Sequence, residues 1–168
     1  KISAEIKNEI KEEVKELVRV KGIRPGLGVI LVGDDAASKV YVANKQKGCE
    51  EVGFLSETAK LPQNSTEEQV LGQIQLYQER EDIHGILVQL PLPAHIDKNK
   101  VLHAISPDKD VDGFHPVNIG KLVAQQECFI PATPAGVIEM LKREKILIKG
   151  QNATMVGHSE IVGKPCAL

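Results

Sequence analysis

The sequence has no tryptophan, and aromatic residues make up only 3% of its 168 positions. Stacking platforms of the kind that hold single-stranded nucleic acid are therefore not expected. Nor is there an excess of positive charge. The 21 Lys and Arg against 23 Asp and Glu leave a net charge of −2, which draws the chain neither to nucleic acid nor to an anionic membrane. No apolar run approaches the roughly 20 residues that a membrane-spanning helix needs. Cysteine is scarce and odd in number. Cys49, Cys128 and Cys166 are far apart, without metal-ligand or redox spacing, and read as reduced thiols of a cytosol-like compartment. His84, His95, His103 and His115 likewise show no spacing that builds a metal site, so no metal is expected. The opening segment KISAEIKNEIKEEVKEL is charged throughout and has no secretory h-region, consistent with an expected cytoplasmic location.

What is present is ordinary globular composition, 42% hydrophobic and 26% charged. The length suffices for one full domain and the beginning of another. The chain starts at Lys1 inside a helical pattern without a methionine, and it stops at Leu168 a few residues into an expected helix. It therefore reads as the front part of a longer two-domain protein.

Ile2, Ile6, Ile10, Val14, Leu17 and Val18 recur at helical spacing among Lys and Glu, predicting an amphipathic helix that ends near Gly22. LGVILVG (27–33) is a continuous apolar run suited to a strand buried on both faces. A turn at Gly33-Asp34-Asp35 leads to a helix from about Ala36 to Val52. FLSETAKL (54–61) predicts a second strand. Ser65 with Glu68 fits a capping box for a helix whose face is Val70, Ile74 and Tyr77. GILVQLPLP (85–93) predicts the third strand, ended by its prolines. A short helix near Asp97 precedes a loop, SPDKDVDGFHPVNIG (106–120). Thr133 as N-cap with Pro134 behind it predicts a helix to about Glu144, and NATMVGHS (152–159) predicts a strand entering a turn.

Strands alternating with helices imply right-handed crossovers and a mostly parallel sheet. The expected fold is α/β: a three-layer αβα catalytic domain over residues 1–133, then the start of a Rossmann-like dinucleotide-binding domain over residues 134–168. Ligands of such sheets bind beyond the carboxyl ends of the strands, and the polar residues of interest fall there.

In YVANK (41–45), Tyr41 and Lys45 share a helical face, so a phenol and an ammonium project side by side. One can stack on a flat ligand while the other moves a proton; a solvated Lys beside a half-buried Tyr is the plainer alternative. In VQLPLP (88–93), Gln89 ends an apolar strand with an amide that no core requires, unless it simply faces water. In DKDVDGFHP (108–116), the acidic residues before Gly113 do not follow the calcium-loop pattern, because Phe114, Pro116 and Val117 occupy ligand positions. A single carboxylate aimed at a ligand's N–H groups, or plain turn formation, remains. MVGHSEIVGKP (155–165) runs from a strand through Gly157 to Gly163 toward a helix, leaving backbone N–H groups for a phosphate. It satisfies neither the generic G-x-G-x-x-G fingerprint nor the G-x-S-x-G nucleophile elbow, so Ser159 is not read as a nucleophile.

Taken together, PGLGVILVGDDAASKVYVANKQKGCEEVG (25–53), GILVQLPLP, SPDKDVDGFHPVNIGKL, FIPATPAGVIEML and VGHSEIVGKP resemble, in order and approximate spacing, the signatures of the bifunctional methylenetetrahydrofolate dehydrogenase/methenyltetrahydrofolate cyclohydrolase family. The resemblance covers essentially the whole chain. It implies oxidation of 5,10-methylenetetrahydrofolate with NADP, or with NAD, followed by hydrolysis to 10-formyltetrahydrofolate. A single-activity member and a non-catalytic folate-binding domain are the competing readings.

The resemblance also implies residue roles. Lys45 would carry the proton of the hydrolytic step, Gln89 would hold Lys45, Tyr41 would stack on the aminobenzoyl ring, and Asp112 would pair with the pterin's N–H edge. Val42, Ala43, Asn44, Val88 and Leu90 would complete the tetrahydrofolate site. Thr133, Gly157, His158, Ser159 and Gly163 would bind the cofactor. His158 departs from the family's usual arginine; it is shorter and lacks the bidentate fork, which implies weaker discrimination for NADP. Family members are commonly homodimers, so a homodimer is expected. The chain as given is expected to show little dehydrogenase activity, because a nucleotide-binding half needs more strands than residues 134–168 supply.

Overall fold

A computed structural model describes all of residues 1–168. The chain runs α1 (Ile2–Lys21), β1 (Gly26–Val32), α2 (Ala36–Val52), β2 (Leu55–Leu61), α3 (Glu67–Glu79), β3 (Gly85–Val88), α4 (Lys98–His103), α5 (Pro116–Val123), α6 (Ala132–Arg143) and α7 (Gly163–Ala167). The strands form one parallel sheet in the order β2-β1-β3, with Gly26 facing Leu55 and Leu27 facing Gly85. Parallel neighbours require crossover connections, and α2 and α3 supply them.

The all-apolar β1 lies central because both of its faces are covered. On one face Ile30, Val32, Ile86 and Val88 pack with Val70, Ile74 and Tyr77 of α3 and Val101 of α4. On the other, Val29, Leu31 and Leu87 pack with Val42 of α2. The outcome is the expected αβα layering over a parallel sheet. Helix α1 packs on α2 rather than on the sheet, so of its apolar stripe only Val14 is buried. Both α1 and α2 close on a left-handed glycine, Gly22 and Gly53. No helix is long and apolar enough to cross a membrane.

Several local expectations shift. The capping box of α3 is not Ser65 with Glu68 but Thr66 with Gln69. The Thr66 hydroxyl accepts from the Gln69 N–H at 3.3 Å, and Gln69 Oε1 accepts from the Thr66 N–H at 2.8 Å. Ser65 is buried instead, its carbonyl bonded to His95 Nε2 at 2.9 Å. Strand β3 stops at Val88, four residues before the run's last leucine, since Pro91 and Pro93 cannot donate to a ladder.

The stretch 106–120 is not all loop. His115 caps α5 by accepting the Val117 N–H on Nδ1 at 3.1 Å, and Pro116 takes the first helical turn. Helix α6 begins at Ala132 with Pro131 at its cap, which leaves Thr133 inside the first turn rather than at the N-cap. Finally, residues 152–156 form no strand. Neither β2 nor β3 takes this segment as a neighbour, and Val156 is 93% exposed. An extended apolar segment without a ladder partner gains neither hydrogen bonds nor burial.

Candidate active site

Helix α2 carries Lys45 half-buried toward the sheet, where its Nζ donates to Gln89 Oε1 at 2.9 Å. Gln89 follows the last residue of β3 and is 9% exposed. Its backbone N–H donates to the Ile30 carbonyl at 2.9 Å, continuing the ladder one residue past the strand. Its Nε2 donates to the Leu90 carbonyl at 2.7 Å. With the amide nitrogen so engaged, only the oxygen is left to face the lysine, and the orientation of the amide is fixed.

Asp112 comes to the same place from the turn between α4 and α5. Lys45 and Asp112 both line a cleft of ≈ 580 Å³ whose walls include Cys49, Leu87, Val111, Phe129 and Ala132. The cleft is largely apolar, and this sets the charge states. Burial pulls the Lys45 ammonium below its ordinary range, and the Asp112 carboxylate partly restores it. Burial pushes the Asp112 carboxyl above its ordinary range; Lys45 opposes that rise, and the neighbouring Asp110 adds to it. An amine whose proton is loosened by burial beside a carbonyl acceptor is better suited to taking and returning a proton than a solvated lysine.

The other expected residues are placed as follows. Tyr41, one turn before Lys45 on α2, is 60% exposed and stands outside the cleft lining. Ala43 and Asn44 are exposed on the same helix. Val42 and Val88 turn their side chains into the two core clusters, which leaves their backbone groups for any ligand. Leu90 is half-buried beside Gln89. Away from this cleft, Gly157, His158 and Ser159 form an exposed turn, with Gly157 at φ 120°. The Ser159 hydroxyl accepts from the backbone N–H groups of Val162 and Gly163, both at 3.3 Å. Gly163 is buried, and a Cβ there would come within 2.3 Å of the Gly157 carbonyl oxygen. Thr133 is exposed at the start of α6, the helix against which α7 packs.

Two residues not singled out from the sequence matter to the site. Asp110 and Asn118 are each 2% exposed, and the Asp110 carboxylate accepts from the His115 N–H at 2.8 Å and from Asn118 Nδ2 at 2.9 Å. The signal available was a second Asp two positions before Asp112 in D-V-D; alternation in an extended segment would set both on one side, so it is the turn and not the spacing that buries Asp110. Lys109 contributes as well: its ammonium donates to the Gln78 and Arg80 carbonyls at 3.0 and 2.9 Å, satisfying the end of α3.

Residues 1–112 match the family model described as tetrahydrofolate dehydrogenase/cyclohydrolase, catalytic domain. The chain belongs to the tetrahydrofolate dehydrogenase/cyclohydrolase family. Residues 131–168 match that family's NAD(P)-binding domain. Among curated relatives, the bifunctional protein FolD of Lysinibacillus sphaericus is 53% identical over 165 residues, covering 98% of this chain and 58% of the relative. That of Listeria innocua is 52% identical over 167 residues, covering 99% and 58%. Of solved structures, the FolD methylenetetrahydrofolate dehydrogenase/cyclohydrolase of Campylobacter jejuni superimposes with a TM-score of 0.95 at 48% identity, covering 98% of this chain and 58% of that one. The Trypanosoma brucei dehydrogenase-cyclohydrolase, solved with NADP cofactor and an inhibitor, gives 0.93 at 38% identity, covering 99% and 57%. The chain thus spans a little under three-fifths of the length of these family members.

Proposed function

We propose that this chain carries the folate site of an enzyme that oxidises 5,10-methylenetetrahydrofolate to the 5,10-methenyl cation and hydrolyses that cation to 10-formyltetrahydrofolate. The observation that carries the reading is the Lys45 Nζ–Gln89 Oε1 hydrogen bond at 2.9 Å in a cleft that Lys45 shares with Asp112. The names of the curated relatives, all bifunctional FolD proteins, support it.

In the hydrolytic step, water adds to the electrophilic methenyl carbon as Lys45 accepts one of its protons. The same ammonium then returns that proton to the ring nitrogen N5 as its bond to the one-carbon unit opens, and the adduct's hydroxyl proton passes to solvent, leaving a formyl group on N10. Each cycle consumes one water and restores Lys45. Gln89 Oε1 holds the amine on the reacting side. Asp112 accepts hydrogen bonds from the pterin's N–H groups, which fixes the bridge carbon against Lys45. Tyr41 stacks on the aminobenzoyl ring, and backbone groups of Val42, Ala43, Asn44, Val88 and Leu90 border the same ligand.

The exposed Gly157–Ser159 turn, closed by the side-chain-free Gly163, fits a phosphate-bearing cofactor, with Thr133, His158 and Ser159 as its polar partners. When bound, NADP, or NAD, supplies the hydride acceptor for oxidation of the one-carbon bridge. With His158 in place of an arginine, the reading carries only a modest preference for NADP. The folate part is residues 1–133, and the nucleotide part, residues 134–168, begins within the first turn of α6. The enzyme is a cytoplasmic homodimer with neither nucleic acid nor membrane as partner, and its formyl product serves purine biosynthesis.

The experiment is hydrolysis of 5,10-methenyltetrahydrofolate, followed by loss of the methenyl chromophore, in wild type and Lys45→Met. Abolished turnover in a folded variant supports the reading. A folded variant that turns over like wild type, or folate binding without turnover in both, points instead to a non-catalytic folate-binding domain.

A further inference from the structure

Asp112 sits on a turn that has no regular secondary structure of its own, yet its carboxylate must be held against Lys45. The turn is fixed from two sides. Behind it, the buried Asp110 carboxylate collects the His115 N–H and Asn118 Nδ2 at 2.8 and 2.9 Å, and the Gly113 N–H donates to the Asp110 carbonyl at 3.1 Å. Asn118 Nδ2 also donates to the Pro107 carbonyl at 3.0 Å, so one amide joins the start of the loop to its end. Before it, the Ile86 N–H donates to the Lys109 carbonyl at 2.7 Å, which anchors the loop to β3. In front, Gly113 at φ 68° lies so near residues 129–131 that a Cβ would meet the Phe129 carbonyl oxygen at 2.7 Å. A buried carboxylate and a buried amide that neither line the cleft nor touch Lys45 have no reason to be polar except to shape this turn.

We propose that Asp110 and Asn118 are the positioning residues of the site, acting through Asp112: their hydrogen bonds set where the Asp112 carboxylate stands relative to Lys45 and to a bound pterin. The proposal rests on the folate reading for its ligand but on the structure for its geometry. It also ties the site to the connector into α6, because the Gly113 backbone has room only while residues 129–131 stay where they are. The charged groups facing Asp112 are Lys45 from α2 and Asp110 from its own loop; Lys7 of α1 and His84 line the same cleft.

Two variants separate positioning from plain structural support. Asn118→Leu keeps the volume and removes the donor. Asp110→Asn keeps an acceptor for His115 and Asn118 and removes the charge. In Asn118→Leu, KM for 5,10-methenyltetrahydrofolate should rise about tenfold or more, the loss expected for one charge-assisted hydrogen bond. Adding Asn118→Leu to Asp112→Ala should cause no further loss, because the two act on one contact.

A carboxyl-carbon NMR titration of Asp112 needs no substrate. Its midpoint should fall toward the ordinary carboxylate range in both variants. In Asn118→Leu the turn opens to water, and in Asp110→Asn the like charge is gone. Additive losses in the double variant, or an unmoved Asp112 titration in folded Asn118→Leu and Asp110→Asn, would overturn the proposal. If Lys45→Met hydrolysed the substrate normally the folate reading would fall, and the substrate-free titration would still decide whether Asp110 and Asn118 position Asp112.

Discussion

Replacing Gln89 with leucine removes the one hydrogen-bond acceptor that the structure gives Lys45 while keeping a side chain of similar size at the end of β3. A hydrogen bond to a charged group contributes about 1.5–3 kcal/mol. If the reaction retains that contact as Lys45 takes up its proton, losing it lowers kcat by about tenfold to 150-fold, at 1.36 kcal/mol per decade. The pH profile changes too, with a sign fixed by the geometry. The Gln89 oxygen favours the protonated amine, so its loss lets Lys45 shed its proton at lower pH, and the rise of kcat/KM with pH moves to lower values. Gln89→Glu places an anion beside the ammonium and must move that rise the other way. The assay is methenyltetrahydrofolate hydrolysis across pH in wild type and both variants, with circular dichroism as a check on the fold. Gln89→Leu within threefold of wild type, with an unshifted profile, would refute the reasoning.

Asp112→Asn bears on stability as well as activity. Burial raises the Asp112 carboxyl above its unfolded value of 3.8. Its contribution to stability is therefore full below that value and is lost as pH rises through the higher folded value. Lys45 is depressed below 10.5, so its burial penalty lasts through neutral pH and is relieved only as pH rises toward that value. Relative to wild type, urea midpoints of Asp112→Asn should gain as pH rises from 3.8 through the higher folded value of Asp112, and a difference between the two proteins that does not change with pH would contradict the assignment.

Tyr77 tests the core: its ring is buried beneath α3, its hydroxyl has no hydrogen-bond partner, and burial weakens the phenol as an acid, raising its pKa to about 12. Tyr77→Phe should change unfolding free energy by less than about 1 kcal/mol, whereas Tyr77→Ala should cost about 3–5 kcal/mol in urea titrations.

The αβα layering was legible because β1 is apolar without interruption and its crossover helices carry clear caps and faces. Gln89 stood out as a group that a core does not require and Tyr41 with Lys45 by their shared helical face, whereas Asp112 was singled out from its acidic loop only by the family resemblance. What brings Lys45 to Gln89 was not, since helix spacing says nothing about how α2 rotates over the sheet. Asp110 and Asn118 escaped because a carboxylate in an acidic loop reads as solvated until its burial is known. Helix α5 escaped because His115 is an uncommon cap and the glycine and prolines around it read as loop. The segment 152–156 has strand composition, but strand formation depends on a neighbour that composition does not reveal.

The central claim is that Lys45 moves the proton in hydrolysis, and Lys45→Met tests it most directly when turnover and ligand affinity are measured on the same samples. In that variant kcat for 5,10-methenyltetrahydrofolate should fall by about 10²–10⁴-fold, the usual contribution of a positioned acid–base group. The affinity for a folate ligand should stay within a few-fold of wild type. A folded Lys45→Met protein that retains wild-type kcat would contradict it.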